Sequence, residues 1–200
     1  MNGILEPRRA AAPTAAAAVA SSLASALARQ PDDDALRRDV QALLDIEAIK
    51  RLKHAYFRGL DSANLELLAT LFHPEVQVHF VGGDYEWRLD GREQYVETIA
   101  ANFHANVVAQ HTGNHPEITL LSATEAEGIW YLHDDFYDMA KMLFTTGSAF
   151  YHDRYEKVDG RWLIRSTRYE RHYELVTPMK QVPNFTVRYL ARHGRAAPQA

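Results

Sequence analysis

Apolar residues recur at helical spacing through Leu36, Val40, Leu43 and Leu44, and again through Ile46, Ile49, Leu52, Tyr56 and Leu60. Pro31 and the acids Asp32, Asp33 and Asp34 suit a first helical turn. Proline already holds the φ that a helix start needs, and carboxylates favour the positive end of the helix. Asp45 would re-cap a second helix, so the pattern allows one long helix or two. It stops between Gly59 and Ser62, with Asp61 at the stop and Gly59 as a break. A short helix follows, with Leu65, Leu68, Leu71 and Phe72 on one face and Asn64 as its cap, and Pro74 ends it.

Beyond Pro74 alternation replaces the helical period. Val76, Val78 and Phe80 alternate as a strand, Gly82-Gly83 turns it, and Tyr85, Trp87 and Leu89 alternate as its hairpin partner. Asp90-Gly91 turns into a helix carrying Tyr95, Ile99 and Phe103. Strand patterns then run over residues 117–121, 126–137, 142–156 and 161–175, the last two joined by the hairpin signal Val158-Asp159-Gly160. Helices followed by long antiparallel strands predict an α+β fold. A curved antiparallel or mixed sheet closing over the N-terminal helices forms a cone with one deep pocket. The domain is expected over residues 31–175, with its core over 43–175.

The two ends read differently. Residues 1–30 are alanine-rich with little to bury, which predicts a disordered or loosely helical extension. Arg8-Arg9 before the alanine run, with Ala26-Leu27-Ala28 beyond it, also suits a twin-arginine export signal, although Pro13 and weak hydrophobicity oppose this. Residues 176–200 hold three prolines and mixed charge, and either wrap the domain or fray.

Composition narrows the function. In 200 residues the net charge is -4, Lys and Arg are scattered, and nothing forms a surface for nucleic acid. No apolar run spans a bilayer. Cysteine is absent, which removes thiol chemistry and fits a cytoplasmic location. The outer sheet face is expected to carry some of Trp130, Tyr131, Tyr155 and Trp162, because one pocket cannot hold them all. An exposed aromatic patch of this kind marks an interface.

Candidate chemistry centres on residues 110–118, Gln-His-Thr-Gly-Asn-His-Pro-Glu-Ile. His111 and Asn114 are expected near a concavity, on a strand that bends at Gly113. A histidine there exchanges protons near neutral pH, and it needs an orienting acid, for which Asp61 is the best candidate. Otherwise Asp61 caps the next helix and His111 is a satisfied strand histidine. Tyr56 reaches the same pocket only if the helix ends before Asp61; otherwise it is a core aromatic. Asn114 is an amide donor or a turn former. Asp134 shares strand parity with Trp130, so it is buried with a partner or lies on a solvated face. Trp130, Tyr151 and Arg168 are candidate pocket walls, the last two equally readable as scaffold. His104, His111, His115 and His133 invite a metal, but Gly113 and Pro116 argue against the helix that would align His111 with His115. No metal and no cofactor is expected.

Several short motifs, taken in order, resemble one family. They are residues 45–52 (Asp-Ile-Glu-Ala-Ile-Lys-Arg-Leu), 56–61 (Tyr-Phe-Arg-Gly-Leu-Asp), 111–114 (His-Thr-Gly-Asn), Gly128-Ile129-Trp130, 151–155 (Tyr-His-Asp-Arg-Tyr) and 159–162 (Asp-Gly-Arg-Trp). Together they resemble the SnoaL-like branch of the nuclear transport factor 2-like superfamily, over about residues 43–175. The resemblance implies an α+β cone, dimerisation through the sheet, a metal-free pocket, and His111 acting as base with Asp61. It also matches Tyr56 and Asp134 to pocket residues of a bile-acid dehydratase. Many relatives read His-His-Gly-His where this chain reads His-Thr-Gly-Asn. The function this implies is a cofactor-independent lyase, of dehydratase or dehydrohalogenase type, acting on a small apolar cyclic substrate. Alternatives are a polyketide cyclase or ketosteroid-isomerase-like enzyme using the same pair, and a non-catalytic binding domain.

Overall fold

A computed structural model describes residues 33–197. The expectations for residues 1–30, including the export signal, lie outside the described residues. The chain divides into two compact units, residues 1–41 and 42–200. Of the first, the described part is the opening of helix α1.

Helix α1 (Asp33–Asp61) is one continuous helix. Asp45 does not interrupt it, and Gly59 is no break: a Cβ there would come within 2.8 Å of the Leu68 side chain, so the glycine lets the next helix pack closely. The buried stripe runs through Ile49, Leu52, Lys53, Tyr56, Phe57 and Leu60, whereas Leu36, Val40, Leu43 and Leu44 are exposed. Ala63, at φ 47°, turns the chain, and the Asn64 side chain accepts from Leu67 N at 2.9 Å to cap α2 (Leu65–Ala69). Helix α3 (Arg92–Asn102) buries Tyr95 and Ile99.

The strands are β1 (Phe72–Val81), β2 (Glu86–Asp90), β3 (Val107–Leu120), β4 (Glu125–Asp138), β5 (Leu143–Val158) and β6 (Arg161–Pro178). They form one sheet in the order β2-β1-β6-β5-β4-β3. Every neighbouring pair is antiparallel except β1 with β6. The β5–β6 turn has positive φ at both Asp159 and Gly160, as a two-residue hairpin turn requires.

Two of the register shifts in the sheet, one on β3 and one on β6, set which side chains face inward near the cavity. On β3, Asn114 pairs with Tyr131 and Glu117 with Ile129, so β3 carries one extra residue, and His115 there has φ 49°. The irregularity is therefore at His115-Pro116 and not at Gly113, which stays in the ladder opposite Leu132. On β6, Tyr173 pairs with Ser148 and Arg171 with Ala149, leaving His172 as the extra residue.

Trp130, Tyr155 and Trp162 prove to be buried; of the four aromatics assigned in part to the outer face, only Tyr131 is exposed. The C-terminal segment wraps the domain. Helix α4 (Tyr189–His193) buries Leu190 in the core, and Ala105 N donates to Arg195 O at 2.9 Å. No helix among the described residues is long and apolar enough to cross a membrane.

Candidate active site

The inner sheet face and helices α1 and α3 enclose a cavity of about 240 Å³. Aromatic rings are prominent in its wall, among them Tyr56, Phe80, Trp87, Tyr95, Tyr151 and Tyr169.

His111 enters this wall from β3. Its ring Nδ1 lies 2.7 Å from Asp61 Oδ1, and its backbone N donates to Asp61 Oδ2 at 3.0 Å. The ionised carboxylate only accepts, so the ring Nδ1–H donates and Nε2 is left as the basic nitrogen. Asp61 is the last residue of α1 and stands behind the histidine, outside the cavity wall. Tyr56 and Asp61 thus serve the site from one unbroken helix: the tyrosine faces the cavity and the carboxylate reaches only the histidine. Gly113 makes room beside them, because a Cβ there would meet the Phe57 ring at 2.1 Å.

The Tyr56 hydroxyl lies 2.7 Å from that of Tyr95 and 3.4 Å from that of Tyr151. Burial, reinforced by the neighbouring tyrosines, raises Tyr56 well above its ordinary 10.0. Burial likewise raises Tyr95 and Tyr151. All three remain protonated at neutral pH, and the short Tyr56–Tyr95 contact uses one hydroxyl proton of that pair and leaves the other for the cavity.

Asp134 faces inward, 3 % exposed, and opposes His111 across the β3–β4 ladder. Its partner is Arg171, whose Nη1 and Nη2 donate to Oδ1 and Oδ2, each at 2.7 Å. Arg171 Nε also donates to the Tyr85 hydroxyl at 3.0 Å and lies 2.7 Å from Glu174 Oε2 as an ion pair. Burial acts to lower Arg171, but Asp134 outweighs it and holds the guanidinium charged. Gly147 gives the guanidinium its space, since a Cβ there would lie 2.6 Å from Nη1.

Beneath the tyrosines lies a buried ion pair, Lys53 Nζ to Asp153 Oδ2 at 2.7 Å. The ammonium sits 3.6 Å from the Tyr151 ring centre and 4.5 Å from that of Tyr56. Tyr155 donates to the same Asp153 oxygen at 2.8 Å and accepts from Trp130 Nε1 at 2.9 Å.

The structure therefore brings His111, Asp61, Tyr56, Asp134 and Tyr151 together and separates three other candidates from them. Asn114 is exposed opposite Tyr131. The strand does not bend at Gly113, so a residue three positions from His111 points to the other face. Arg168 is exposed on the outer face, opposite His79 and His152. Trp130 is fully buried but belongs to the layer under the cavity, bonded to Tyr155. Among the described residues, no three His, Cys, Asp or Glu converge as a metal-binding group.

Sequence reasoning missed Tyr95, Arg171, Glu174 and Lys53. Lys53, a lysine on the buried stripe between Ile49 and Tyr56, was the one legible signal among them. Arg171 and Glu174 share the cavity only because the His172 bulge reverses the alternation of β6.

Among solved structures, the chain is similar to a protein from Novosphingobium aromaticivorans assigned as a scytalone dehydratase. The TM-score is 0.61 at 22 % identity, over 74 % of this chain and 99 % of that one. It is similar to a type 2 hexachlorocyclohexane dehydrochlorinase (LinA), with TM-score 0.63 at 18 % identity over 74 % and 99 %. It is also similar to the type 3 enzyme of Novosphingobium barchaimii, with TM-score 0.60 at 20 % identity over 72 % and 96 %. At these identities the likeness is one of fold. The family model of the SnoaL-like domain matches residues 41–168, more than half of the chain, and the chain belongs to that family.

Proposed function

We propose that this chain is a cofactor-independent lyase of dehydratase or dehydrohalogenase type. In this reading His111 removes a carbon-bound proton from a small cyclic substrate held in the aromatic cavity. The observation that carries it is the 2.7 Å contact between His111 Nδ1 and Asp61 Oδ1, which leaves Nε2 as the base at the cavity wall. Asp61 orients the ring and stabilises its cation. Of the bonded Tyr56–Tyr95 pair, the hydroxyl whose proton is free donates to the oxygen that gains charge as the substrate proton leaves. Asp134, held by the Arg171 fork, positions substrate as an acceptor. An aromatic wall that excludes water strengthens each of these interactions. Two of the similar structures are dehydrochlorinases and one is assigned as a dehydratase, which agrees with elimination as the outcome.

The chain is further proposed to pair with a second copy through the outer sheet face, where Tyr131 is 45 % exposed and packs edge-on against Phe150 at 4.3 Å.

The test of elimination is direct. Wild-type protein is incubated with β-hydroxy and β-halo cyclic ketones, and olefinic protons are followed by NMR. Release of water or halide with a new double bond supports the lyase. A shifted double bond without a leaving group selects the isomerase reading, ring closure of an open-chain polyketide mimic selects the cyclase, and binding without any turnover selects a ligand-binding domain.

A further inference from the structure

The cavity holds one arginine, and three of its five N–H donors are engaged in hydrogen bonds. Arg171 meets Asp134 through both terminal nitrogens and Tyr85 through Nε, with the second carboxylate, Glu174, at 2.7 Å. The β5 backbone closes on the guanidinium at Gly147. Two carboxylates against one guanidinium leave this wall with a net charge of about -1. Asp84 adds a further carboxylate to the lining, and Asp138 is balanced by Lys141 at 3.6 Å.

Only one of the two carboxylates is needed to hold the arginine. Asp134 takes the bidentate fork, the geometry that best satisfies a guanidinium. Glu174 is brought inward by the extra residue at His172 and adds only charge to that pair. Its other oxygen, Oε1, accepts from Gly83 N at 3.1 Å, which fixes the carboxylate in the wall.

We propose that Glu174 is a specificity-determining residue that makes the cavity select uncharged ring compounds and reject ring carboxylates. This rests on the reading of the cavity as the substrate site. Without Glu174, the guanidinium and Asp134 would form a neutral pair whose outer edge accepts a ligand anion. With it, a ligand carboxylate meets a like charge in a water-poor wall, an arrangement that disfavours wrong partners strongly.

Calorimetric titration of the full chain with 2-naphthol and 2-naphthoate at neutral pH tests the proposal. The two differ in charge and share a ring system. Wild type is expected to prefer 2-naphthol by at least about tenfold. Glu174→Gln keeps an oxygen for Gly83 N and removes the charge. It should shrink the preference at least about fivefold by gaining affinity for 2-naphthoate. Glu174→Ala should act in the same direction and covers a failure of the first variant to fold. Tighter naphthoate binding by wild type, no binding of either compound, or an equal loss of both in the folded variants would overturn the proposal. Equal loss is what a purely structural Glu174 predicts. The titration reads no turnover, so it stands or falls separately from the assignment of His111 as base.

Discussion

A carboxylate on the last residue of a helix sits at the negative end of the dipole, where electrostatics disfavours it. Asp61 is held there by two N–H donors of a single residue, the ring and the backbone of His111. Gly113 holds the strand against α1 at this point, with the space for a Cβ filled by the Phe57 ring. Gly113→Ala should therefore lower stability by about 1–3 kcal/mol, the usual cost of overpacking, as read from the urea midpoint. An unchanged midpoint would mean that Phe57 moves freely. The contact of His111 with Asp61, expected from the family resemblance, is present at 2.7 Å, and Tyr56 lines the same cavity. Asn114 and Arg168 were misread because each depended on which face of a strand it occupied. Tyr95 was seen only as a core aromatic of its helix, since a hydroxyl pairing 39 positions away leaves no local trace.

At the level of elements, the order of helices and strands followed from the change of period, but its place did not: α2 ends at Ala69, and Phe72 and Pro74, read as the end of that helix, belong to β1. Nor did the lengths. Helix α1 runs through Asp45 and Gly59, because helix interiors tolerate a capping residue or a glycine when tertiary packing covers them. The bulges at His115 and His172 are single-residue events that no alternation reveals. The parallel β1–β6 pair closes residues far apart in sequence and carries no local signal. The C-terminal segment, open in the sequence between wrapping and fraying, is part of the core: Leu190 is 2 % exposed. Leu190→Ala should cost about 2–5 kcal/mol, and truncation after Pro178 should lower Tm by a comparable loss, both read by thermal and urea unfolding. An unaffected Tm in the truncated chain would show that the segment merely rests on the domain.

Across the whole molecule, buried ionisable groups set the response to alkali. Tyr56, Tyr95, Tyr151, Tyr155 and Tyr169 are all raised above their ordinary 10.0, chiefly by burial. The folded chain therefore keeps protons that the unfolded chain gives up, so stability falls as pH rises past about 10, by on the order of 1 kcal/mol per pH unit for each such group. Lys53 acts oppositely: burial lowers it from 10.5, against the pull of Asp153, so its contribution improves as pH rises toward that value. The phenolate absorbance of these five tyrosines should appear together with loss of the fold rather than before it. A non-cooperative titration of these tyrosines would contradict their burial. If two copies pair through the outer sheet face, light scattering at micromolar concentration should give twice the mass of the chain, and Tyr131→Asp should return it to a monomer. The most direct test of the central claim is the rate at which the protein removes the α-proton of a cyclic ketone that it turns over, followed by NMR. His111→Ala should lower that rate by about 10²- to 10⁴-fold, the usual worth of a positioned general base. Asp61→Asn should lower it by a similar order, and the double variant should be little worse than the poorer single one, because the two act as a unit. Proton removal by a folded His111→Ala variant at the wild-type rate would contradict the assignment.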